Sequence, residues 1–449
     1  MPPVSRFQKK VVKAPNLTYV SGNACVLRSG GRCHSQRFLH IEYTNKLQEE
    51  LNMKFNQWTL ALASAGMVSL SSIALADSHS VLDQVSKTTI SGYVDTSAIW
   101  SIGEGGNANF PGRINDGAGY VDGFNLNVVQ LSLESPLDDS EWAAGYGVDL
   151  WMGPDASWLA SNFTGTGDLG IKQAYVALRA PVGNGLDIKM GQFDAIIGYE
   201  VGSSPLNPNF SRSYGYFLEP FQHTGVLASY QLTDQISVSG GVANTYGFGI
   251  NDRPNAVGQA AGEGRKTYMA SVSYEIPEEA GFLAGGAIYA GVTDGLVQGG
   301  DVHDKTSYYV GATVPTPIDG LALGLAFDLA DTSATNPATN LASGDAWALA
   351  GYLSYQVTEK MTFNGRIDYA EADNGVFFNT NDGGDSELLS LTGTIDYSLW
   401  DNVISRLEVR WDQSLDGGDA FGGSRAGGFF GPADSEDAVT IAINAIYSF

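Results

Sequence analysis

Sixteen segments of this chain alternate apolar with polar residues at a period of two, and the connections between them alternate between long and short. The segments fall at 88–100, 123–136, 141–151, 169–181, 185–193, 222–232, 234–245, 265–277, 281–292, 304–315, 320–330, 345–358, 360–371, 386–399, 402–412 and 438–449. Period-two alternation bounded by Gly, Pro, Asn and Asp marks β-strands. Odd-to-even links such as 101–122 and 194–221 are long and polar, whereas even-to-odd links are tight turns such as "LDDS", "VGNG", "TPID" and "TE". Soluble sandwiches and propellers also have many strands, so number alone decides little. Short turns at one rim and long loops at the other fit a membrane barrel, one rim periplasmic and the other exterior. The expected fold is all-β: a 16-stranded antiparallel transmembrane β-barrel with short periplasmic turns and long extracellular loops.

Lipid and water sort the two faces. In 402–412, Val403, Leu407, Val409 and Trp411 oppose Arg406, Glu408, Arg410 and Asp412; in 360–371, Met361, Phe363, Ile367 and Tyr369 oppose Thr362, Asn364, Arg366 and Asp368. A charge held against lipid at the bilayer midplane costs about 2–4 kcal/mol for Arg or Lys. The ionic face must therefore surround water and the apolar face meet acyl chains. Trp100, Trp142, Trp151, Tyr355, Tyr369, Tyr397, Trp400, Trp411 and Tyr447 lie near strand ends, where amphipathic rings form interfacial belts. Alternation falters near Val128-Val129 and Lys172-Gln173, which predicts β-bulges there.

The stretch 53–76 reads as a secretory signal peptide, with Lys54, an apolar run and the small-x-small close Ala74-Leu75-Ala76. Residues 1–52, with both cysteines and no clear periodicity, then read as a spurious N-terminal extension, a genuine domain being the alternative; 77–87 is a periplasmic tether and 88–449 the barrel. Removing 1–76 leaves 15 Lys/Arg against 46 Asp/Glu, a formal net charge of −31, and no cysteine. That balance argues against nucleic-acid partners, whose phosphates require basic contacts. No segment after residue 76 approaches the 18 apolar residues of a membrane helix.

At the C-terminus, "VTIAINAIYSF" turns Val439, Ile441, Ile443, Ala445, Tyr447 and Phe449 to one side. The aromatic-x-Phe ending is similar to the terminal signal that outer-membrane barrels present to the barrel-assembly machinery, which makes Tyr447 and Phe449 the expected assembly signal. The stretch 186–245 contains "KMGQF", "IGYE", "NPNFSRSYGYFLEPFQHTGV" and "GVANT", and over about 90–250 the chain resembles the β-barrel porin-2 family, the OmpL-like porins. The resemblance implies an outer-membrane localisation and a pore, and carries over no catalytic residue.

The third long link, 194–221, holds Glu200, Arg212 and Glu219. In general porins this loop folds into the lumen; an outward lid or packing against the rim would use the same residues. Folded inward, Glu200 and Glu219 are expected to face Arg366, Arg406 and Arg410 across the bore and set up a transverse field. The remaining lumen candidates are Asp95, Asp187, Asp328, Asp368, Asp396 and Glu408, with Lys189 basic. Six acids against four bases is a weak excess, so the expected bias toward cations leans on the strongly acidic loops and the long-range potential.

"NDGGDSE" (381–387) and "LDGGDA" (415–420) are ordinary Asp/Gly turns more than calcium sites, and "GTGDLG" at 165–170 follows no βα unit. No cofactor, metal site or enzymatic activity is expected; a rim hydrolase would have His223 as its base. The resulting expectation is a porin for passive diffusion of small hydrophilic solutes or ions, with outer-membrane lipids and the assembly machinery as partners. Monomer and homotrimer are both compatible with it. The competing reading is a plugged structural or adhesive surface barrel without an open channel.

Overall fold

A computed structural model describes residues 11–14, 17–26, 34–41, 87–102, 120–159, 169–247, 249–253, 264–297, 303–334, 343–373, 376–378, 384–421 and 435–449. The chain divides into two units, Met1–Asn56 and Gln57–Phe449. In the first, β1 (Val11–Ala14), β2 (Leu17–Val26) and β3 (His34–Ile41) pair as an antiparallel sheet in that order. The proposed signal peptide and the tether up to residue 86 lie outside the described residues.

The second unit is a closed barrel of sixteen strands. They are β4 (Thr89–Ile102), β5 (Gly123–Ser135), β6 (Ala144–Met152), β7 (Leu169–Ala180), β8 (Leu186–Asp194), β9 (Gln222–Gln231), β10 (Ile236–Ala243), β11 (Thr267–Glu275), β12 (Ala287–Val297), β13 (His303–Pro315), β14 (Leu321–Ala334), β15 (Gly344–Thr358), β16 (Met361–Ala372), β17 (Ser386–Tyr397), β18 (Val403–Ser414) and β19 (Asp437–Ser448). Each pairs antiparallel with the next, and β19 returns to β4 with Tyr447 opposite Val94 and Ile443 opposite Ala98. Closure removes the unpaired edges that hydrocarbon would not tolerate. Phe449 completes the seam: its N–H donates to Gly92 O, and its carbonyl accepts from Gly92 N–H, both at 3.0 Å.

The apolar face is the outer face. Leu407 and Val409 are 46% and 47% exposed, whereas Glu408 and Arg410, alternating with them, are 2% and 1% exposed. Leu323, Phe363, Ile367 and Ile443 also point outward, so the greasy side of these ribbons does not form a compact core.

Both expected bulges are present. Asn127 is inserted between the pairs Asp95↔Val128 and Thr96↔Leu126, and Lys172 between Asp149↔Gln173 and Leu150↔Ile171. Each adds a polar side chain to the interior: Asn127 donates to Asp95 at 2.9 Å and accepts from Ser97, while Lys172 pairs with Asp194. A third irregularity, at Gln356/Thr358, had no sequence signal.

Several strand limits differ from expectation, most of all in β12, which also runs five residues past its expected end to Val297, and in β14. β12 starts at Ala287 rather than 281 because Glu278–Leu283 forms a 3-10 turn, with Gly281 and Gly285 at φ 69° and 76°, outside the extended region. β14 runs on to Ala334, four residues past its expected end.

Candidate functional site

The third long loop, 195–221 between β8 and β9, lies inside the barrel. Its neck is tied by Ala195 N–H donating to Phe221 O at 2.9 Å, and it contains two 3-10 turns, Ser204–Leu206 and Gly215–Phe217. The loop packs around the inner wall. Ile196, Ile197 and Tyr199 join Leu227, Met269 and Tyr309 of β9, β11 and β13; Tyr214 and Leu218 join Ala330 and Ala370 of β14 and β16; Phe210 joins Ile99 and Ala442 of β4 and β19. Tyr199 stacks on Tyr352 of β15 with ring centroids 4.2 Å apart.

Beyond its two 3-10 turns, an aperiodic loop pairs few of its backbone groups with one another, and buried N–H and C=O groups must find partners. Here the ionic wall supplies them. Arg406 donates to Ser204 O at 3.1 Å and Asn207 O at 2.6 Å, Arg366 to Ser211 O at 2.8 Å, and Arg410 to Arg212 O at 2.5 Å. Glu408 accepts from the N–H groups of Phe210 and Ser211 at 2.6 and 2.9 Å, and Asp368 from that of Tyr214 at 2.9 Å. Asn209 donates to Thr394 of β17 at 2.7 Å.

The wall charges are also paired. Arg366 contacts Asp368 at 3.0 Å and Glu200 at 2.9 Å, Arg406 contacts Asp396 at 2.9 Å, and Arg410 contacts Asp412 at 2.8 Å. Glu200 touches Arg366 directly rather than facing it across water, and Arg406 and Arg410 grip loop carbonyls. Arg212 is a staple within the loop, donating to Val201 O and Phe210 O with its guanidinium 5.6 Å from the Tyr216 ring centroid.

Asp328 of β14 is buried against Gly215, and Glu219 against Gly198. Burial, followed by the neighbouring Asp328 charge, pushes the Glu219 carboxyl well above the usual range.

Ten of the sequence-derived candidates therefore meet at the loop and the wall strands that hold it: Glu200, Arg212, Glu219, Asp328, Arg366, Asp368, Asp396, Arg406, Glu408 and Arg410. Asp95 is instead bonded to Asn127 and to Asn444 of β19, while Asp187 forms a two-pronged pair with Arg179 at 2.7 and 2.8 Å. Lys189 lies 4.6 Å from the Tyr175 ring centroid.

Sequence reasoning passed over Asp412, although it continues the polar row of β18, and Tyr214, whose hydroxyl donates to Asp412 at 2.7 Å. Nothing local marks Tyr214 out among the loop aromatics. His223 is fully enclosed, its ring centroid 6.3 Å from that of Phe193 and 6.4 Å from that of Tyr246, so it cannot meet a substrate at the rim. Asp416 in "LDGGDA" accepts from Ser414 and from Gly418 N–H, as an Asp in a turn does. Residues 165–168 and 381–383 lie outside the described residues.

A cleft of ≈ 50 Å³ runs between Trp151, Leu159, Tyr216 and Phe221, with Glu219 and Gln222 in its lining.

A closed sixteen-stranded barrel, apolar outside and ionic inside, with its third loop drawn into the lumen, defines an outer-membrane barrel of the porin class. The chain belongs to the family described as putative beta-barrel porin-2, OmpL-like, which it matches over residues 87–449. The fold is also that of solved porins at low identity. The outer membrane channel DcaP of Acinetobacter baumannii is 12% identical over 85% of this chain and 100% of that one, with a TM-score of 0.54. An anion-selective porin from Comamonas acidovorans is 13% identical over 81% and 99%, with a TM-score of 0.53. Salmonella typhi OmpF in complex with daunomycin is 13% identical over 81% and 97%, with a TM-score of 0.51. No curated protein matches the chain.

Proposed function

We propose that this outer-membrane barrel conducts small hydrophilic solutes or ions by passive diffusion, with a preference for cations. The observation that carries the reading is the loop 195–221, fastened to the inner wall by Arg366, Arg406, Glu408 and Arg410 so that it narrows a lumen otherwise wide enough for an aqueous channel.

The sign of the preference comes from the short-turn rim. Asp139, Glu141, Asp234, Glu278, Glu279, Asp319, Glu359 and Asp401 are exposed there, against Lys87 and Lys360. Such a ring concentrates cations at the mouth. The anion-selective relative has the same fold, so charge placement, not architecture, must choose the sign.

The test is single-channel recording in planar bilayers under a salt gradient. Stable steps with a reversal potential toward the cation value support the proposal; an anion-directed potential removes the cation preference. A plugged surface barrel is the second reading, favoured by the Glu200 and Arg366 side chains being fully shielded. It predicts a silent bilayer.

Tyr447 and Phe449, both outward-facing, serve as the signal for the barrel-assembly machinery, and outer-membrane lipids cover the apolar face. A homotrimer would appear as a three-subunit ladder on chemical cross-linking in membranes.

A further inference from the structure

The cleft of ≈ 50 Å³ beside the neck of loop 195–221 is lined by the acids Asp194, Glu200 and Glu219 and by the rings of Trp151, Tyr216 and Phe221. Among the described residues, no Lys or Arg enters that lining. Two of the acids already hold a cation: Asp194 pairs with Lys172, and Glu200 with Arg366 at 2.9 Å. Glu219 is only 6% exposed and pairs with no cation among the described residues. Lys305, the wall cation nearest to it in influence, instead holds its ammonium 5.0 and 4.9 Å from the ring centroids of Tyr246 and Phe377. The Glu219 carboxylate lies over Gly198, another residue of the lining, where an added Cβ would collide with it.

Gln222, in the same lining, adds an acceptor that the protein leaves unused. Its side chain is buried, and Nε2 donates to Asp194 Oδ1 at 3.3 Å, which fixes the other end of the amide as oxygen. That oxygen, Oε1, has no hydrogen-bond partner among the described residues. Buried acceptors are costly to leave unmade, so the cleft suits a ligand that brings donors.

We infer that this cleft binds a small primary alkylammonium, with Glu219 and Gln222 Oε1 accepting from its N–H groups and Trp151, Tyr216 and Phe221 enclosing its carbon chain. An ammonium brings three donors and a positive charge, and ring faces favour both that charge and the attached alkyl group. The wall shows this chemistry once already, because Lys172 places its ammonium on Asp194 and 5.8 Å from the Trp151 ring centroid. Burial, followed by the Asp328 charge, raises the Glu219 carboxyl, and a bound cation offsets both. Size narrows the class further. A water needs about 10–15 Å³ of such space, so the cleft takes roughly three to five small groups, too few for a sugar ring. A chelated metal fits less well, since no three His, Cys, Asp or Glu converge as ligands among the described residues. Binding stands without ion flow; only its consequence, that short amines are held on their way through the lumen, rests on the channel reading.

The test is saturation-transfer NMR on the full chain folded in detergent, titrated with ethylammonium chloride at about pH 8, where an alkylammonium keeps its proton. The ligand's methyl signal should show saturable transfer with a Kd in roughly the millimolar range, the ceiling for so few atoms. Ethanol, the neutral analogue of the same size, should show no saturable transfer. Glu219→Gln should weaken the affinity at least about tenfold, the scale of one hydrogen bond to a charged group. Gln222→Met, which removes the unused acceptor, should weaken it about tenfold as well and carries the test if the first variant folds poorly. No saturable transfer to ethylammonium in the unaltered chain, equal transfer to ethanol, or an affinity unmoved in the folded variants overturns the site. Saturable binding beside a silent bilayer supports the site and counts only against the channel; stable conductance without saturable binding overturns the site alone.

Discussion

Arg366 of β16 and Glu200 of the third loop stand 166 residues apart in the chain, yet their side chains meet at 2.9 Å with neither exposed. Removing one partner of a shielded pair strands the other charge, which costs about 3–5 kcal/mol. Arg366→Met should therefore destabilise the barrel by about that amount in urea unfolding from detergent micelles. Adding Glu200→Gln to it should recover a large part of the loss. A double variant no more stable than the single one would mean that the pair is not the seat of the effect.

Arg410 donates from Nε and Nη2 to Asp412 and from Nη1 to the Arg212 carbonyl. Lysine offers one compact ammonium in place of that fork. Arg410→Lys should cost about 1.5–3 kcal/mol, the scale of one hydrogen bond to a charged group, and raise exchange at Ser213 and Tyr214. Unchanged exchange there would show that the guanidinium does not hold the loop.

Leu407 lies on the lipid face of β18, and Asp401 in the exposed turn before it. Leu407→Arg should cost about 2–4 kcal/mol, whereas Asp401→Arg should stay within about 0.5 kcal/mol of the parent. Equal effects in refolding titrations into lipid vesicles would contradict the assignment of the outer face.

Neutralising Asp139, Glu141, Glu278 and Glu279 together removes four of the exposed acids of the short-turn rim. The cation-to-anion permeability ratio should drop at low salt and converge with the parent's near 1 M, where screening acts over about 3 Å. A ratio unmoved at low salt would place the selectivity elsewhere in the lumen.

Phe449 is 52% exposed, and its ring lies over Gly92, where an added Cβ would come 2.7 Å from Cζ. Phe449→Ala should lower the yield of folded barrel in cells several-fold, while shifting the stability of purified, refolded barrel by only about 0.5 kcal/mol. The heat-modifiable band on gels reads the first quantity and urea titration the second. A stability loss matching the yield loss would make Phe449 a packing residue rather than a signal.

Much of the barrel is written locally. The alternation of Leu407 and Val409 with Glu408 and Arg410 assigns each residue to lipid or water from its immediate neighbours, because successive side chains of a strand point to opposite faces. The broken pattern near Val128-Val129 and Lys172-Gln173 announced the bulges for the same reason. The tight turn at 278–280 was legible, but its extension to Leu283 was not, because Phe282 and Leu283 read as the start of a strand while Gly281 and Gly285 bend the backbone out of one.

The sequence by itself thus determined strand number, the face each residue takes and the acidic balance, all carried by short-range periodicity and composition. Only the tertiary structure decided what the charges of β16 and β18 do. Instead of a field across open water, their arginines bind the backbone of a loop 155 to 202 residues away, in contacts such as Arg366 with Ser211 and Arg406 with Ser204. A loop without periodicity carries no register of its own, so its partners are set by the closed wall that surrounds it and by the need of each buried backbone group for a hydrogen bond.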